Sequence, residues 1–92
     1  MNDIEKIRLE IDKTDAQMAA LFEKRMALVA DIALYKKEHD LPITDPVREQ
    51  RIIDVGKKRV KEELAPYYEQ FLKETMEISK GYQREIIDSS EK

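Results

Sequence analysis

Residues 3–39 read DIEKIRLEIDKTDAQMAALFEKRMALVADIALYKKEH. Apolar side chains recur at Ile4, Ile7, Ile11, Met18, Leu21, Leu28, Ile32 and Tyr35. With Thr14 and Arg25 filling the two gaps, the steps alternate between three and four, the signature of one face of a helix. No Gly or Pro interrupts the run before Pro42. Asn2 followed by Glu5 has the form of a capping box at its start. Such a helix is roughly 50 Å long. A 92-residue globule has a radius of gyration of only about 12 Å. The 53 residues after His39 are too few to cover the stripe, so a second copy of the chain is expected to do so.

Outward from this segment, Asp40–Thr44 is expected as a loop. Asp45-Pro46 restarts a helix, with Asp45 as N-cap and Pro46 at the first helical position. The second helix carries Val47, Ile52, Ile53, Val55 and Val60 and is expected to end between Arg59 and Glu63. Gly56 inside it marks a weak point or a close approach. The third helix is expected from Pro66 to about Asp88, with a stripe of Tyr68, Phe71, Leu72, Thr75, Met76, Ser79, Tyr82, Gln83, Ile86 and Ile87. The predicted fold class is therefore all-α, with three helices per chain (long, short and medium) forming an intertwined helical homodimer. Residues 1–92 are read as a single domain.

Composition narrows the function classes. Hydrophobic residues at 41% and charged residues at 40% describe a folded chain rather than a disordered one. Cysteine is absent, which removes disulfides and thiolate metal sites. The charged start lacks the apolar segment of a signal peptide, and no apolar run approaches the ~18 residues of a membrane span. A cytoplasmic protein is expected. A net charge of −3 weighs against nucleic acid or an anionic membrane as partner. The single histidine, His39, is expected to be exposed near a helix end, and one histidine makes no metal cluster.

The informative feature is polar side chains within apolar stripes. Arg25 lies between Leu21 and Leu28, and Lys36 follows three turns later on nearly the same face, ~16 Å along the axis. Ser79 and Gln83 are one turn apart on the third helix. Inward-facing cations are costly unless an anion meets them, so the combination suggests a dry pocket for a small anion. Each residue also has a plainer reading. Arg25 could pair with Glu23, Asp31 or a partner-chain carboxylate, as coiled-coil flank residues do. Lys36 could be a solvated helix-end lysine, and Ser79 and Gln83 boundary positions. Arg8 precedes Arg25 by seventeen residues, ~25 Å along the axis and rotated by roughly 100°. The two cannot close on one small ligand from one helix. If Arg8 serves the pocket, it arrives from an antiparallel partner subunit.

These residues fall in a recognisable order. Ile7-Arg8-Leu9-Glu10-Ile11-Asp12 with Asp15, Leu21-Phe22-Glu23-Lys24-Arg25, Ile32-Ala33-Leu34-Tyr35-Lys36, Pro42-Ile43 with Asp45-Pro46-Val47-Arg48-Glu49, and the Ser79/Gln83 pair follow one another at characteristic spacing. In this the chain resembles the all-helical chorismate mutases over essentially its whole length. The resemblance implies conversion of chorismate to prephenate, an intramolecular pericyclic rearrangement that needs no cofactor and no metal. It implies that Arg25 and the partner subunit's Arg8 grip the two substrate carboxylates, with Ser79 adding a hydrogen bond. Lys36 and Gln83 would donate to the breaking ether oxygen. Glu49 would accept from the substrate hydroxyl, helped by the backbone near Asp45, and Arg48 would lie at the edge. Two rivals stand beside this reading. One is an isochorismate pyruvate-lyase on the same fold, against which the acid Glu49 directly after Arg48 weighs. The other is a non-catalytic helical interaction module, in which Arg25, Lys36 and Gln83 would face solvent.

Overall fold

The computed structural model describes residues 1–90. It contains three α-helices, α1 (Asp3–Glu38), α2 (Pro46–Lys57) and α3 (Ala65–Ser90), with a 3-10 turn at Glu62–Leu64 and no strand among the described residues.

Local chemistry sets the ends of each helix. Asn2 Oδ1 accepts the Glu5 N–H at 2.9 Å, and Asp3 and Glu5 place negative charge at the positive end of α1. At the other end the Leu41 N–H donates to the Lys36 carbonyl (2.8 Å) and the Asp40 N–H to the Lys37 carbonyl (3.3 Å). This is the Schellman pattern, which requires a left-handed residue, and Asp40 supplies it at φ 55°. Asp45 caps α2 by accepting the Arg48 N–H at 3.1 Å, while Glu49 reaches back to accept the Asp45 N–H at 3.1 Å. The exposed His39 is the C-cap of α1, its ring stacked on Tyr35 at 3.9 Å.

Two helix ends differ from the sequence reading. α2 stops at Lys57, before the expected Arg59–Glu63. The N–H groups of Lys58 and Arg59 fold back onto the Val55 and Gly56 carbonyls, and Lys61 is extended (φ −58°, ψ 143°) to enter the 3-10 turn. Val60 therefore lies beyond the helix. α3 begins at Ala65 rather than Pro66. The preceding turn already has helix-like backbone, and a proline is tolerated within the first turn.

α3 is the hub on which α1 and α2 both lie. Side-chain contacts run from Arg25 to Ser79 and from Lys37 to Ser90, so α1 and α3 are parallel. Contacts from Glu49 to Lys80, and from Gly56 to Leu72 and Tyr68, make α2 antiparallel to α3. A Cβ at Gly56 would collide with the Leu72 side chain and stand 3.4 Å from the Tyr68 ring, so glycine allows the close approach. The core is small: Val29, Ala33, Ile53 and Met76 are its buried apolar residues.

The long stripe of α1 does not join that core. Its apolar members remain 48–65% exposed, and every residue from 1 to 24 is exposed. α1 instead meets α3 from Arg25 onward, with Val29 and Ala33 buried at steps of four. Phe71 and Tyr82 of the expected α3 stripe are likewise exposed, whereas Met76, Ser79 and Gln83 are buried. The radius of gyration is 16.7 Å and the long dimension 55 Å. The accessible surface is 7545 Å², where a folded monomer of 10.9 kDa exposes about 5,600 Å².

The left-handed Asp40 is a strained position for a residue with a Cβ, and its charge lies at the negative end of α1. Asp40→Gly should raise stability by about 0.5–1 kcal/mol, the strain relieved exceeding the added chain entropy of glycine. Urea denaturation should show a higher midpoint at unchanged slope. A lower midpoint would mean that the Asp40 side chain supports the loop.

Candidate active site

α3 presents Ser79 and Gln83 inward, and their neighbours on α1 and α2 form the site. Ser79 is 5% exposed and Gln83 6%. The Ser79 hydroxyl donates to the Thr75 carbonyl (2.8 Å) and accepts a hydrogen bond from Arg25 Nη1. Arg25 is half-buried. None of the ion pairs among the described residues includes it, so the pairing with Glu23 or Asp31 open to it in the sequence does not form. A guanidinium has five N–H donors, and this one has a single neutral acceptor among the described residues.

Lys36 is held by the turn that follows it. Its carbonyl is part of the Schellman motif, and its half-buried ammonium donates to the Ile43 carbonyl at 2.7 Å. It too forms no ion pair among the described residues. Gln83 sits one turn above Ser79, and its Oε1 is buried without a hydrogen-bond partner. The interaction-module reading expected Arg25, Lys36 and Gln83 to face solvent. Gln83 is buried, and the two cations are half-covered.

Glu49 approaches from α2 through Lys80, the residue that follows Ser79 on α3. One carboxylate oxygen accepts from Lys80 Nζ at 2.9 Å and the other from the Asp45 N–H at 3.1 Å. The Lys80 hydrogen bond holds the Glu49 carboxyl below the ordinary glutamate range, against the opposing effect of burial. Lys80 also meets Glu77 at 2.8 Å, and these two carboxylates raise its pKa, Glu77 more than Glu49. Sequence reasoning missed Lys80. It follows Ser79 directly, but only the antiparallel placement of α2 on α3 brings Glu49 to it.

Three expected residues stand apart. Asp45 is exposed and acts on the site through its backbone N–H. Arg48 is exposed and lines a separate groove of about 210 Å³ with Arg51, Arg59 and Leu72. Arg8 lies on the bare half of α1, away from the other candidates. The arrangement as a whole offers two cations without counterions among the described residues, a buried amide with a free acceptor, and a fixed carboxylate. It suits a small polyanion that also carries a hydroxyl.

The sequence profile of a family described as chorismate mutase type II matches residues 7–84. The chain belongs to the type II chorismate mutase family. The chorismate mutase match includes every candidate position from Arg8 to Gln83. A T-protein from Haemophilus influenzae is 41% identical over 49 residues, 53% of this chain and 13% of that protein. A chorismate mutase from Methanocaldococcus jannaschii is 39% identical over 57 residues, 62% of this chain and 58% of that one. The matched stretches thus span less than two thirds of either relative. No solved structure gives a significant match.

The unpartnered Gln83 oxygen has a consequence for stability. A buried acceptor left unpaired costs about 1–3 kcal/mol, whereas an apolar group of similar shape carries no such cost. Gln83→Met should therefore leave stability equal or raise it by up to about 1 kcal/mol, read by chemical denaturation. A loss beyond that would show that the amide oxygen is satisfied in solution.

Proposed function

We propose that this chain is a cytoplasmic chorismate mutase, a single domain working as an intertwined homodimer without cofactor or metal. It rearranges chorismate to prephenate on the route to phenylalanine and tyrosine. The observation that carries the reading is the half-buried Arg25. It has no carboxylate partner among the described residues and rests on the buried Ser79 hydroxyl, one turn from the buried Gln83 amide, within the family match. A substrate carboxylate supplies the missing anion, and arginine's planar fork meets it with two hydrogen bonds.

In this mechanism the residues position and polarise; none forms a bond. Arg25 and the partner subunit's Arg8 hold the two carboxylates, Ser79 assists, and the bound chorismate is kept in its compact conformer. Lys36 and Gln83 donate to the ether oxygen as negative charge develops there. Lys36 exchanges its contact with the Ile43 carbonyl for this one. Glu49 accepts from the hydroxyl, and Arg48 tunes the field from the edge. The bare face of α1 supports the dimer. The chain exposes about 1,900 Å² more than a folded monomer of its mass, and burying that on each of two copies falls in the range of obligate dimers.

A spectrophotometric assay of chorismate consumption with identification of the product tests the activity directly. Prephenate is expected; pyruvate released from isochorismate instead would replace the mutase reading with the lyase. Subunit exchange tests the assembly. Arg8→Ala and Arg25→Ala homodimers should each lose on the order of 10²-fold or more in kcat/KM. Their mixture should regain activity, because each mixed dimer holds one intact site. No recovery on exchange would remove Arg8 from the partner's site.

Gln83→Glu tests the role of the amide. A carboxyl donates only when protonated, and at pH 7.5 a glutamate beside Lys36 and Arg25 is largely ionised. The variant should be badly impaired at pH 7.5 and recover, relative to wild type, by about tenfold in kcat/KM near pH 5. Circular dichroism at each pH checks folding. A flat ratio would mean that Gln83 does not donate to the reacting oxygen.

A further inference from the structure

Among the described residues, Lys80 is the one cation at the site with its own counterions. Its side chain is 13% exposed and lies between Glu49 of α2 and Glu77 of α3. Glu77 is 61% exposed and largely solvated, whereas Glu49 is 24% exposed and also holds the Asp45 N–H. We propose that Lys80 is a positioning residue: gripping one oxygen of Glu49 while the Asp45 N–H holds the other, it fixes the carboxylate for the substrate hydroxyl. The proposal rests on the assignment of Glu49 as the hydroxyl acceptor.

The geometry leaves room for that acceptance. A carboxylate offers about four lone-pair sites. One on each oxygen of Glu49 is occupied, by Lys80 and by the Asp45 N–H. The two contacts lie on different elements, so together they prevent rotation about the last bond of the side chain. They also offset the burial of a charge beside an anionic ligand, a place where a lone carboxylate would take up a proton. The charged groups acting on Glu49 are Lys80 from α3, with Glu77 behind it, and Asp45 from the start of α2. The Asp45 carboxylate opposes ionisation while its N–H favours it, and among the described residues no α1 cation forms an ion pair with Glu49. Of these, Lys80 has the largest effect, and it lowers the pKa. Removing Lys80 therefore moves the Glu49 pKa up, so activity in its absence is lost at a higher pH as the medium is acidified.

The test compares Lys80→Met, Lys80→Arg, Glu49→Gln and the Lys80→Met/Glu49→Gln double variant in the full chain. Mutase kinetics are followed from pH 7.5 down to pH 4.5, with circular dichroism at each point. Lys80→Gln stands in if methionine is not tolerated. Lys80→Met should lower kcat/KM about three- to tenfold at pH 7.5, and its ratio to wild type should fall further as the pH is lowered, because its acid limb moves to higher pH. Lys80→Arg should restore a flat ratio. In the Glu49→Gln background Lys80→Met should change kcat/KM by less than about twofold, since residues acting through one another are not additive. A pH-independent ratio, or an equal loss in the Glu49→Gln background, would overturn the positioning role while leaving the mutase reading intact. An active wild type with a fully active Glu49→Gln variant would overturn it by removing Glu49 from the site. An inactive wild type would overturn both readings at once.

Discussion

The length of α1 is the constraint on which the rest depends. Its 36 residues without a break make it longer than the other elements can cover. α3 covers only the C-terminal half, where Val29 and Ala33 are buried, and α2 packs on α3 rather than along the bare half of α1. What remains is an apolar helix face standing in water and a core of a few side chains. Such a core cannot offset the chain entropy of a whole domain. The proposed dimer would answer this shortage of core, and the same association would deliver Arg8, which its own chain leaves far from Arg25. Stability and site completion would then be one event.

The charges of the molecule divide into two kinds. Exposed pairs such as Lys57–Glu69 and Lys73–Glu69 tie helix surfaces and contribute little in high dielectric. The groups around Ser79 and Gln83 differ. Arg25 and Lys36 rest on neutral oxygens, a hydroxyl and a carbonyl, which orient them without neutralising them. Their field stays available to a ligand. Glu49 is the counterpart, a carboxylate that would be out of place among anions were it not held by Lys80 and a backbone N–H. A rearrangement without acid–base or nucleophilic steps needs only such preorganised donors and acceptors.

Much of this was legible in the sequence. The three helices, the Asn2 and Asp45 caps and the inward placement of Ser79 and Gln83 follow from local hydrogen bonding and helical period, which act over a few residues. The ends near Val60 and Pro66 were less legible, because they depend on where the chain turns to reach α3. The α1 stripe was read as a face for a second copy, and the face that α3 takes was not legible. Residues 26–34 are apolar almost throughout, so periodicity selected Leu28 and Ile32, whereas α3 settled one residue on, against Val29 and Ala33.

The sequence by itself determined that α1 would be overlong, that Arg25 and Lys36 would share its face, and that the order of motifs was that of one family. These are properties of spacing, which the helix converts directly into position. Only the tertiary structure decided that Arg25 rests on Ser79 rather than on an acid, that Lys80 holds Glu49, and that Arg48 turns to a different groove. Each depends on how α1 and α2 sit against α3. That register comes from the close approach at Gly56 and the parallel contact of α1 with α3, interactions between residues far apart in the chain that no local pattern records.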